Sequence, residues 1–377
     1  MCEVLPTWHE PHTSIKQAIM KRNILYSILY LALLFIISCT SADKEVIVFE
    51  TVRFENELSI TGEPIGPINA FLRSQKAIMI DSFLIVVDTE RTPYAISLIN
   101  SNNDSTVYHI AHKGQGPTEL ISATDIAADA NNKRAFWAID VMSQSYSMYL
   151  IDSIMAGNLK PIKRIKPRNH NLFMDDFVVT KDHIVCNGSI SRAQVSFLSL
   201  KNGALEHESD KIPIEIEYPK SITDSHLSHA YTGSHAIKPD CSRIVAATSF
   251  GDYLSIYDSS GLLLKTLRTP EKLEPKFSAY PNGLVGYTET KYGYLDITCT
   301  NSYIFAQYAG KSHAGDIEYT SKFVHVFTWE GEPVARLLLD RYVLGICVDE
   351  QTNTLYALEL YAEQPIIKYK LPSEILL

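Results

Sequence analysis

The sequence predicts an all-β fold: a six-bladed β-propeller of four-stranded antiparallel blades, preceded by a signal segment. Three observations carry this reading. A short apolar strand, a polar turn and a second apolar strand recur six times along the chain. The copies stand roughly 45–60 residues apart, the repeat length of propeller blades. Tyrosine is frequent, at 21 of 377 residues, and aromatic and β-branched side chains favour strands.

The clearest copy is Gly345–Leu358, GICVDEQTNTLYAL. Apolar alternation on both sides of a turn rich in Asp, Asn and Thr marks a β-hairpin. The same phrase reads AIMIDSFLIVVD at Ala77–Asp88, DIAADANNKRAFWAID at Asp125–Asp140 and FVVTKDHIVC at Phe177–Cys186. It returns as AIKPDCSRIVAA at Ala236–Ala247 and LDITCTNSYIFA at Leu295–Ala306, the last with Asn301 in place of the turn Asp. A second rhyme, DSSGLLLKTL against WEGEPVARLLL, predicts matching outer hairpins in the fourth and fifth blades. Each unit buries its faces only by stacking on neighbours, so no blade is expected to fold alone.

Composition narrows the function classes. A hydrophobic fraction of 46% suits a folded domain with ample core. The net charge of −9 argues against nucleic acid as a partner, because that binding needs clustered Lys and Arg on phosphates. One basic run, KPIKRIKPR at Lys160–Arg168, interrupts the acidic balance. It reads as a solvated connecting strand or as a contact for an anion or lipid headgroup.

The N-terminus reads as an address. Lys21-Arg22 precede an uncharged apolar run, Ile24–Ile37, followed at once by Ser38-Cys39. Such a run is short for a membrane span and matches a signal-peptide core. MKRN at Met20 is an ordinary basic start, and translation is expected to begin there. A small residue then Cys resembles a bacterial lipobox, which implies acylation of Cys39 and anchoring to a membrane. Residues 1–38 are then signal peptide, 39–45 a lipidated tether and 46–377 the propeller. The strand expected at Val46–Phe54 would complete the last blade and close the ring, removing the unpaired edges.

Outside the cytoplasm disulfides are permitted. Yet Cys186, Cys241, Cys299 and Cys347 fall in different repeats with no C-x-x-C pair, and are expected to be buried free thiols. The loop AHKGQGPTEL after the first blade holds Gly114, Gln115, Gly116, Pro117 and Glu119. No Lys-Ser/Thr follows, and the next segment is a strand, so a tight inter-blade connection is expected rather than a phosphate loop.

Two groups of side chains are of metal-ligand type. His226 and His229 form H-x-x-H near Asp224, the spacing of two ligands from one helical turn, with a polar loop of solvent-facing histidines as the other reading. Asp125, Asp175, Asp176 and His235 enter inner strands, where side chains converging on the axis could hold calcium or zinc in the central channel. No G-x-S-x-G and no H-E-x-x-H occurs.

The lipobox, the six hairpins and GQGPTE together resemble the TolB-like six-bladed propeller lipoproteins of Gram-negative bacteria, over essentially the whole mature chain. In that family the loop commonly reads G-x-G-P-G-E, and Thr118 stands here for its third glycine. The resemblance implies a lipid-anchored propeller in the cell envelope at the outer membrane; the anchor, the fold and the lack of a catalytic signature make a non-enzymatic binder of a protein, peptide or glycan the expected function. A channel-metal lactonase or lyase, and a periplasmic component of an envelope complex, are the alternative expectations.

Overall fold

In the computed structural model the residues described are 49–66, 74–88, 93–103, 107–168, 176–187, 192–311, 319–360 and 362–375. The signal segment, Cys39, the tether and Asp175 lie outside them. Among the described residues no helix is long and apolar enough to cross a membrane.

Six antiparallel sheets form the blades. Their innermost strands are Ser74–Ile80, Ala123–Ala128, Phe177–Val179, Gly233–Ile237, Tyr294–Cys299 and Gly345–Asp349. These six run parallel to the axis side by side, and each begins one of the predicted hairpins. The hairpin turns obtain left-handed backbone where the sequence supplies Asp81 (φ 50°) and Asn353 (φ 51°), residues that tolerate it. Cys241 takes the same conformation (φ 61°) in blade 4 without that excuse.

The core is a ring of six apolar seams, one between each pair of neighbouring blades. Ile85 and Leu98 of blade 1 pack with Phe136 and Tyr149 of blade 2. Trp137 and Tyr146 of blade 2 meet Phe177 and Leu198 of blade 3. The series continues through Phe197 with Tyr257, Leu254 with Phe327, and Phe305 with Leu355. It closes where Leu84 and Val86 of blade 1 meet Tyr356 and Ile366 of blade 6. At about 25 cal/mol per Å² of apolar area, each seam supplies the burial that a lone sheet lacks.

Closure differs from the expected strand. Glu63–Ile65 is the fourth strand of blade 6, antiparallel to Ile366–Lys370. Phe49–Thr51 instead lies parallel to Leu263–Arg268 on the outer edge of blade 4, and Glu57–Ile60 lies parallel to Pro333–Val343 on blade 5. Blades 4 and 5 therefore have five strands. The N-terminal strap covers two edges before it closes the ring, which satisfies backbone groups that solvent would otherwise meet. Ion pairs of Glu50 with Lys265 and Glu57 with Arg336 hold it.

Two long insertions form a cap beside blade 4. Ile212, Leu227, Tyr231 and Val285 pack together against Tyr253. Beneath them the fully buried Arg268 pairs with Asp252 at 2.5 Å, Glu215 at 2.9 Å and Glu274 at 3.0 Å, with Tyr253 stacked 3.6 Å from its guanidinium. Of the four cysteines among the described residues, all free thiols, Cys186 and Cys347 are buried and Cys241 and Cys299 half-buried.

Candidate functional site

One position of the innermost strand recurs in every blade and builds the floor of the channel. Pairing places Lys76 opposite Val87, Asp125 opposite Ile139, Ser234 opposite Ala247, Asp296 opposite Gln307 and Gly345 opposite Leu358. Asp176 stands just before Phe177, the residue opposite Cys186, and takes the same place in blade 3. Around the ring the sequence is thus Lys, Asp, Asp, Ser, Asp, Gly. In blades 1, 2 and 5 the ladder skips a residue immediately before this position. A bulge there re-aims the side chain that follows it.

Each aspartate ties its blade to the next. The backbone N–H of Phe177 donates to Asp125 Oδ2 at 3.0 Å, that of His235 to Asp176 Oδ1 at 2.8 Å, and that of Ile346 to Asp296 Oδ2 at 2.8 Å. His235 Nδ1 lies 2.7 Å from the same Asp176 oxygen. Lys76 reaches into the middle. Its Nζ donates to Asp296 Oδ1 at 2.6 Å and stands 3.9 Å from Asp176 Oδ2 and 4.0 Å from Asp125 Oδ1.

Electrostatics follow from burial and crowding. Burial pushes the carboxyls of Asp125 and Asp296 up, against the pull of Lys76. Burial alone would lower the Lys76 ammonium, but Asp296, Asp125 and Asp176 together raise it well above its ordinary value. Lys76 is therefore a fixed cation. It is neither a neutral amine nucleophile nor a general base near neutrality.

The same residues carried the metal expectation. Asp125, Asp176 and His235 do converge at the axis, but the cation they surround is the Lys76 ammonium. A calcium or zinc ion there would have to displace it. Among the described residues no three His, Cys, Asp or Glu are grouped as a metal requires. His226 and His229 lie elsewhere, in the short helix Asp224–Ala230 of the cap. His226 is buried rather than solvent-facing: Thr223 N–H donates to its Nδ1, and its Nε2 donates to the Tyr280 carbonyl at 2.7 Å. Val285 N–H donates to His229 Nδ1 at 3.0 Å. Those hydrogen bonds dock the cap.

Above the floor the channel is a cavity of about 460 Å³ open among the hairpin turns. Its walls are apolar, with Ile78, Ile126, Val179, Ile297 and Val348 among them, and Asp129, Lys133, Lys238 and Gln351 stand at the rim. Cys299 and Cys347 also line it. Burial pushes the Cys299 thiol up to about 12 and raises Cys347 further, so neither supplies a reactive thiolate.

The GQGPTE loop joins the outer strand of blade 1 to the inner strand of blade 2. Glu119 folds back into it, accepting the Gly116 N–H at 2.8 Å, while Glu119 N–H donates to the Gly116 carbonyl. A Cβ on Gly114 would come within 2.0 Å of the Glu119 carboxylate. The glycines make room for this glutamate, Pro117 and Gln115 complete the turn, and Arg164 of blade 2 clamps the Glu119 carbonyl at 3.0 Å.

Sequence reasoning missed Lys76 and Asp296. The signal was present: aligning the six hairpins on their first strands puts Lys76 and Asp296 in the column of Asp125 and Asp176.

The fold and the site together define a closed six-bladed β-propeller with an ion-pair cluster at its centre. Residues 65–351 match the family described as TolB-like 6-blade propeller-like, and the chain belongs to that family. None of the curated proteins matches it. Among solved structures, a putative exported protein from Bacteroides fragilis is similar at 10% identity and a TM-score of 0.52, over 83% of this chain and 98% of that one. A member of the DUF4221 family from Bacteroides vulgatus aligns at 12% identity and a TM-score of 0.51, over 84% and 96%. At these identities the likeness is one of fold.

Proposed function

We propose that this protein is a non-enzymatic binding module of the cell envelope, anchored through Cys39, that takes its ligand at the turn-side mouth of the central channel. One observation carries the reading: the titratable side chains at the axis are committed to one another. Lys76 is fixed as a cation by three carboxylates, and each carboxylate is fixed by a backbone N–H of the next blade. Groups so bound are poorly placed to exchange protons with a substrate. What remains is an apolar-walled cavity with a charged rim, the composition of a recognition site. A protruding segment of a protein, peptide or glycan partner fits such a mouth. Family membership and the exported fold relative from Bacteroides fragilis support the envelope location.

Two measurements test this. Growth with a labelled lipid precursor should mark the protein, and Cys39→Ala should abolish the mark; label retained by that variant removes the anchor. A photo-crosslinking residue in place of Gln351 should capture a discrete partner in cells, and Val348→Arg, which fills the channel, should prevent it. Capture indifferent to Val348→Arg places binding elsewhere. Metal-dependent turnover of a lactone by the purified protein would make it an enzyme instead.

A further inference from the structure

Blade 2 carries a loop between its third and fourth strands that the channel does not use. It leaves the sheet through the helix Ile151–Met155, with Ile151 and Ile154 buried, and returns at Lys163. Met155, Leu159 and Ile162 are exposed by 49%, 40% and 49%. Lys160, Lys163 and Lys166 are exposed among and after them. Lys163 Nζ donates to the Leu200 carbonyl at 2.6 Å, which brings this basic strand against blade 3. Lys181 and Lys201 of blade 3 line the groove that results, with Asp129, Asp182 and Glu206 beside them.

A lysine-rich edge runs against the net charge of −9. Its chemistry is specific in a second way, because aliphatic and thioether side chains are interleaved with the cations. A soluble anion would use the lysines and leave the apolar tips in water. A bilayer interface with anionic headgroups uses both: apolar side chains enter the headgroup–acyl boundary, and each Lys near the surface is drawn to the anionic headgroups.

Position agrees with this. The loop projects on the hairpin-turn side of the ring. Phe49 pairs with Thr266 and Thr51 with Arg268, parallel to a strand that starts from a turn on that same side. The chain therefore enters blade 4 from the face on which the blade 2 loop projects. Nine residues lie between Cys39 and Phe49, a reach of at most about 35 Å.

We propose that Met155–Lys163 is a membrane-docking loop, with Met155, Leu159 and Ile162 inserted into an anionic bilayer interface and Lys160, Lys166 and Lys201 on its phosphates. It rests on the envelope location proposed above, and not on the channel ligand.

Hydrogen exchange of the full chain, resolved by peptide, tests it. Phosphatidylglycerol vesicles should slow exchange across residues 155–163, and phosphatidylcholine vesicles should not. The triple variant Met155→Ser, Leu159→Ser, Ile162→Ser changes only exposed side chains. It should lose that protection and bind anionic vesicles at least about tenfold more weakly. Vesicle binding with the loop unprotected overturns the proposal, as does equal protection by inorganic phosphate, which would make the ligand a free anion. In Cys39→Ala the loop should remain protected, so a failed anchor and a failed docking loop give different results.

Discussion

Lys76 Nζ donates to Asp296 Oδ1 at 2.6 Å, joining the inner strands of blades 1 and 5 across 220 positions of sequence. Blades 1 and 5 are not neighbours in the ring. The contact therefore exists only when every blade between them is in place, and it locks the closed ring from its centre.

Removing that ammonium leaves three buried carboxylates facing one another. Lys76→Met should lower stability by about 3–5 kcal/mol, the range for breaking a buried ion pair on one side. Asp125→Asn should cost far less, because an amide oxygen can still accept from Phe177 N–H while the crowding of negative charge is relieved. Urea midpoints decide: a Lys76→Met protein as stable as the parent would show that the cluster does not hold the ring.

His325 is buried on blade 5 among Phe54, Tyr294, Tyr308 and Phe327, and its Nδ1 has no hydrogen-bond partner among the described residues. Burial lowers its pKa to about 3. The unfolded chain takes up this proton near pH 6.5, and the folded chain does not until about 3. Its contribution is fully present above the unfolded value and is lost as pH falls from about 6.5 toward 3, with about 3 kcal/mol gone by pH 4. In His325→Phe the difference in unfolding free energy between pH 7 and pH 4 should shrink by that amount. An unchanged difference would mean that other groups set the acid limb.

Gly114→Ala should push the Glu119 carboxylate out of its loop and strip Gly116 N–H of its acceptor. The cost is that of one hydrogen bond, about 1 kcal/mol. Glu119→Ala should cost about the same, and the double variant little more, since both single changes remove one interaction. Additive losses would mean that Gly114 is needed for its backbone alone.

Much of the fold was legible because its signals are local. A strand period of two, turn residues at fixed offsets and their recurrence identify hairpins wherever the chain later places them. The site was half legible. Asp125, Asp176 and His235 were singled out as residues entering inner strands, and they do meet at the axis. The lysine among them went unread because a lysine at the head of an apolar strand resembles a solvated flank. The contacts of the cap histidines were illegible for a related reason: His226 and His229 have ligand spacing along a helix, and Tyr280 and Val285 reach their nitrogens from more than fifty residues away.

The sequence by itself determined the six hairpins, the blade count and the acidic balance, because these depend on neighbours in the chain. Only the tertiary structure decided that Lys76 is the counter-ion of three aspartates, that Glu63–Ile65 closes the ring, and that Phe49–Thr51 straps blade 4. Those outcomes turn on pairings between distant segments. Their partners become adjacent only after six apolar seams have closed around one axis, and no local pattern encodes which side chain then reaches the centre.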